Sequence, residues 1–174
     1  MLVNINSVTL RIAGVKENSP VLSVLEQRSE ILQLTENSHD AVLHPHDVGG
    51  VSYALRAVIA TRISAIHEDE LQSHYLKLLE DSDESLDMIR IFCDPHILPN
   101  AETNDWLRTI INHVDLLTHS PQMATKASID ELKTAGVAEA DIVRITQLVG
   151  FVNYQVRLIQ GIRLLVNKSN KENK

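Results

Sequence analysis

Apolar positions recur at helical spacing along most of the chain. Between residues 53 and 66, Ala54, Leu55, Val58, Ile59, Ile63 and Ile66 share one broad face, and Ser52 stands where an N-cap belongs. Residues 103–118 repeat the pattern with Trp106, Leu107, Ile110, Ile111, Val114 and Leu117. Ser19-Pro20 marks another start, a Ser cap followed by Pro at the first helical position. Behind it, Leu22, Leu25, Leu32 and Leu34 predict two short amphipathic pieces ending near Leu43, and Pro45, Gly49 and Gly50 predict a loop. A helix over about 68–80 turns Leu71, Leu78 and Leu79 inward. Its first turn holds Glu68, Asp69 and Glu70, the charge sign a helix N-terminus favours.

Residues 85–93 predict a short helix that Asp94-Pro95 ends. Ser128-Ile-Asp-Glu131 has the form of a capping box, and Gly136 is a stop for the helix behind it. The longest apolar stretch covers 139–166. Gly150 and Gly161 interrupt it, each at about 1 kcal/mol relative to Ala, which suits a buried helix approached closely by another backbone, in this subunit or a second one. Residues 1–18 alternate apolar and polar residues and predict a short strand or a mobile arm; 167–174 predict a disordered polar tail. The reading is all-α, with one helical domain over 19–166.

Composition narrows the function classes. Phe, Trp and Tyr together number six, so aliphatic residues must fill the core of a 174-residue chain. The net charge of −7 argues against nucleic acid as a partner. No apolar run reaches the roughly 18 residues of a membrane helix, and the first twenty residues lack the layout of a signal peptide. Cys93 is the one cysteine, which excludes an internal disulfide and any Cys-x-x-Cys motif. These features predict a cytoplasmic protein.

Two stretches, residues 49–76 and 136–166, resemble the alkylhydroperoxidase D-like (AhpD-like), or carboxymuconolactone decarboxylase (CMD), superfamily. The residues that carry the likeness are Ser19-Pro20, Gly49-Gly50-Val51-Ser52, the helix around Arg56, His74-Tyr75, and Asn153-Tyr154-Gln155-Val156-Arg157. The resemblance covers about residues 19–166 and implies an AhpD-like helical bundle that assembles as a homo-oligomer, a trimer, hexamer or dimer. Thiol peroxidases of that superfamily share Glu-x11-Cys-x2-Cys-x3-His, with two sulfurs cycling between dithiol and disulfide. Aligned on His74, this chain has Leu55, His67 and Glu70 in the other three places. The thiol mechanism therefore loses its nucleophile.

On one continuous helix, His67, Glu70 and His74 would fall within about 60° of a common face. They predict an acid–base cluster with His74 near neutral pH and Glu70 orienting it; a solvated polar face is the plainer reading. Imidazole and carboxylate could also hold a metal, but no metal signature is present and no metal or cofactor is expected. Tyr75, Asn153, Tyr154 and Arg157 are candidate substrate-binding groups, with Tyr75 or Arg157 meeting an anion; the plainer reading is a partly buried tyrosine tied to the backbone for Tyr75, and a structural polar network or a subunit contact for the other three. His44 and His46 flank Pro45 in the loop. Cys93 has only Arg90 as a basic neighbour and reads as an inert thiol. The acidic stretch from Glu68 to Asp87 reads as solvated surface. The expected function is a small-molecule enzyme using acid–base chemistry at His74. The alternatives are a non-catalytic ligand-binding or structural oligomer, or an antioxidant peroxidase relative working without Cys-x-x-Cys.

Overall fold

The computed structural model describes residues 3–80 and 90–172, with the side chains of 171 and 172 excepted. Every regular element among the described residues is helical: α1 (Val8–Ile12), α2 (Val21–Glu26), α3 (Ser29–Leu43), α4 (Tyr53–Ile66), α5 (Leu71–Glu80), α6 (Asp105–His119), α7 (Lys126–Thr134) and α8 (Glu139–Glu172), with single 3-10 turns at Ile91–Cys93 and Pro121–Met123. The chain is all-α. No described helix is long and apolar enough to cross a membrane.

Local sequence accounts for most boundaries. Ser52 Oγ accepts the Leu55 N–H at 3.2 Å at the start of α4, and Asn104 Oδ1 accepts the Leu107 N–H at 2.8 Å at the start of α6. Gly136, at φ +86°, ends α7 in the left-handed conformation that other residues resist.

Helix α4 lies at the centre against α3, α5, α6 and α8, while α8 runs along α1, α2, α3, α4, α6 and α7. Eleven of the fourteen α4 residues are buried, so the helix is enclosed nearly all round rather than on one face. Two of the eleven are Arg56 and Arg62. Arg56 donates from Nε to Val51 O (2.8 Å), from Nη1 to Val42 O (2.8 Å) and from Nη2 to Val48 O (3.0 Å), which pins the loop between α3 and α4. Arg62 pairs with Asp115 and donates to carbonyl oxygens of the 92–97 segment. Buried guanidinium groups are tolerated only when their donors are spent in this way.

Five sequence expectations need correction. Residues 3–18 are neither strand nor free arm. They contribute α1, in which Thr9 and Leu10 are buried, because Ser7 caps it and Glu36 receives the Val8 and Thr9 N–H groups at 3.0 and 3.3 Å. Helix α8 continues through the expected tail to Glu172; residues 173 and 174 lie outside the described residues. Helix α5 begins at Leu71, not 68, because the chain turns at Glu68 (φ +52°) and Asp69 Oδ1 accepts the Leu71 N–H at 3.0 Å. Ser128 is the third residue of α7, not its cap; its hydroxyl accepts the Thr125 N–H at 3.3 Å. Among the described residues nothing lies within 4 Å of where a Cβ would stand at Gly150 or Gly161, so the close approach expected there is not made within this subunit. The end of the acidic stretch from Glu68 to Asp87, and most of the helix predicted over 85–93, lie outside the described residues. Its last three residues form the 3-10 turn.

Candidate functional site

The break between α4 and α5 separates the expected triad. His67 is the C-cap of α4, and its Nε2 lies 2.7 Å from Asn153 Oδ1 on α8. Glu70 is exposed, with Arg163 Nη2 at 3.9 Å. His74 points elsewhere, towards α3 and α1. One continuous helix would have aligned the three; the turn at Glu68 does not.

His74 meets a histidine that sequence reasoning did not single out. Its Nε2 is 3.3 Å from His39 Nε2 on α3, and the rings are 5.5 Å apart. On its other edge Nδ1 is 3.5 Å from Arg11 Nη2 on α1. His39 is buried, with Nδ1 3.3 Å from Asp40 Oδ1, and Asp40 is open to solvent. The donors fix the tautomers. A guanidinium only donates, so His74 Nδ1 accepts and its Nε2 carries the proton. His39 Nε2 then accepts from His74, and His39 Nδ1–H donates to the Asp40 carboxylate. Arg11, His74, His39 and Asp40 thus form one string with every bond pointing the same way.

Electrostatics keep both rings neutral. Burial, followed by His39, Arg11, His44 and Lys77, lowers the His74 pKa to about 4. Burial also lowers that of His39, against the opposing pull of Asp40 and Glu36. His74 is therefore a neutral imidazole at pH 7.

The candidate binding residues fall into three further sets of contacts. Tyr75 is fully buried; its hydroxyl donates to Gln155 Oε1 at 2.5 Å, and Gln155 Nε2 donates to Thr9 Oγ1 at 3.3 Å, tying α5, α8 and α1 together. Burial raises the Tyr75 pKa far above its ordinary value. Its ring stacks on His39 at 6.1 Å, so it supports the histidine pair from within. Asn153 joins His67 and donates to Thr118 Oγ1 (3.4 Å) and Val149 O (3.0 Å). Arg157 Nη1 donates to Asn153 O at 3.2 Å. The Tyr154 hydroxyl lies 2.9 Å from Thr35 Oγ1 on α3. Tyr75 thus joins His74, whereas Asn153 and Arg157 gather at His67.

A cleft of about 530 Å³ opens beside the 90–97 segment, lined by Gln72, Leu76, Cys93 and His96 among others, and His74 does not line it. The Cys93 thiol is buried, and burial raises its pKa, the opposite of what a nucleophilic thiol requires. No group of three or more metal-ligating side chains occurs among the described residues.

Sequence reasoning missed His39, Arg11 and Asp40. They lie 35, 63 and 34 positions from His74 in the chain, and no local spacing reveals a contact made only by packing α1 and α3 on α5. No family model and no curated protein matches this chain.

Proposed function

We propose that this is an AhpD-like, CMD-related protein that acts on a small molecule by acid–base chemistry at His74, without the thiol mechanism of its peroxidase relatives. The observation that carries the reading is the ordered string from Arg11 through His74 and His39 to Asp40. A neutral imidazole accepts a proton at Nδ1 while its Nε2 proton passes to His39 Nε2 and the His39 Nδ1 proton passes to Asp40. The net transfer is one proton, from substrate to a carboxylate in contact with water. Tyr75 holds the pair in place.

The reading includes a cytoplasmic homo-oligomer. Supporting that assembly, Val24, Ile31, Leu34, Leu164 and Leu165 each leave about half or more of their surface exposed on α2, α3 and α8.

Proton abstraction next to a carbonyl leaves a direct signature. The protein is incubated in D2O with a panel of small 2-oxo and 3-oxo acids, and deuterium uptake or loss of CO2 is followed by NMR. Turnover of at least one compound, abolished in His74→Ala and reduced in His39→Gln, is the expected result. Equal turnover in the native protein and His74→Ala removes the reading. A second reading, a non-catalytic structural oligomer, draws on the polar atoms of Tyr75, Asn153 and Tyr154, all of which bond within the chain. It is favoured if no compound of the panel reacts.

A further inference from the structure

We infer that Arg11 is the docking group for a small organic carboxylate and that the docked carboxylate uncovers the base. The inference rests on the acid–base reading of His74 and adds to it a substrate class and a gate.

The chain as a whole is acidic, and Glu36 and Asp40 lie on the His39 side of the pair, yet the charged groups that act on His74 itself are basic. Arg11 on α1 reaches its Nδ1, Lys77 stands one turn further along α5 on the same face, and His44 ends α3 nearby. All three act on His74 as cations or potential cations. In a protein of net charge −7, such a concentration of positive charge beside a neutral imidazole marks a place for an anion.

Arg11 is solvent-exposed, and its contact to His74 is long for a hydrogen bond. A guanidinium presents a fork of donors that matches a carboxylate with two parallel bonds. Such an anion outcompetes a neutral imidazole nitrogen for the same donors. Arg11 then turns to the ligand, and His74 Nδ1 is left with its lone pair free. A neutral molecule of the same shape has no comparable hold and leaves the nitrogen covered. Arg157, the arginine within the family-like motif, stands away from His74 on α8, where its Nη1 donates to the Asn153 carbonyl.

Binding tests the inference without any turnover. Benzoate and its neutral counterpart benzamide are titrated into the 15N-labelled full chain, and the Arg11 side-chain N–H and the His74 ring nitrogens are followed by NMR. Benzoate is expected to shift both and to move the His74 titration midpoint upward, while benzamide does neither. Arg11→Ala should weaken benzoate binding about tenfold or more, and Arg11→Lys should restore part of it. Overlaid titrations for the native chain and Arg11→Ala, equal responses to the two ligands, or no response to benzoate would each overturn the inference. Benzoate binding that depends on Arg11, together with an inert D2O panel, would leave the anion site standing and remove only the catalytic reading.

Discussion

Arg62 and Asp115 meet as a fork on a fork: Nε and Nη2 of the arginine on α4 each donate at 2.6 Å to one oxygen of the carboxylate on α6. Nη1 donates to Phe92 O (3.1 Å), Asp94 O (2.9 Å) and Ile97 O (3.1 Å), and Nη2 also to Pro95 O (3.4 Å). The guanidinium is fully buried. Replacing it by Met is expected to destabilise the protein by about 3–5 kcal/mol, since Asp115 and the carbonyl oxygens lose their donor together. Urea denaturation measures the loss, and amide exchange should quicken first in residues 92–97. An unchanged urea midpoint would refute the role given to Arg62.

Stability should fall with acid through the histidines. Burial is the first cause lowering the pKa of His39, His74 and His113 below the ordinary 6.5. A base with a lowered folded pKa binds protons more readily when unfolded, so its contribution is present above about 6.5 and lost on descent towards about 4, the His74 value. His39, Arg11, His44 and Lys77 all lower the His74 pKa, while at His39 the pull of Asp40 and Glu36 opposes burial and His44. Thermal denaturation between pH 7 and pH 4 should show a falling Tm, with a shallower slope in His74→Gln. In Arg11→Ala the His74 midpoint should rise, because a neighbouring cation has gone.

Tyr75→Phe separates the hydroxyl from the ring. Gln155 Oε1 is left without its donor in a fully buried position, which costs about 1–3 kcal/mol. The remaining ring still stacks on His39. A lower urea midpoint with unchanged His39 and His74 resonances is the expected result.

Gly50 lets the loop before α4 lie against the start of α8. Its N–H donates to both Asp141 oxygens, at 3.1 and 3.2 Å, and Arg144 bridges Asp141 (2.9 Å) to Asp47 (2.6 Å). A Cβ at Gly50 would overlap the Asp141 carboxylate. Gly50→Ala is expected to lower stability by about 1–3 kcal/mol, and Asp141→Ala should relieve part of that penalty in the double variant. Additive effects in the cycle would count against the contact.

The elements that declared themselves in sequence did so by local means. Ser52 caps the helix it precedes, and α4 spans the predicted residues. α1 escaped notice because five residues carry no readable period, and its start is stabilised by Glu36, 28 positions away. At the site, His74 and Tyr75 were legible as a pair, while His67 and Glu70 were grouped with them by helical spacing alone, although His67 falls between the helices predicted over 53–66 and 68–80. The turn at Glu68, a non-glycine residue at positive φ, has no reliable local signature. Arg56 and Arg62 were equally hidden: in a one-dimensional pattern a buried arginine is indistinguishable from a surface one.

The two interior guanidinium groups hold their loops through main-chain oxygens, which every amino acid supplies alike. Exposed side chains in 42–51 and 92–97 can therefore be exchanged without touching those bonds, whereas Gly50 and the buried Leu43, Val51, Phe92 and Cys93 are held by contacts of their own. The anchors themselves have no such latitude: lysine offers a single nitrogen where several diverging donors are in use. Saturation mutagenesis of the exposed loop positions should yield a tolerant landscape around two immovable posts.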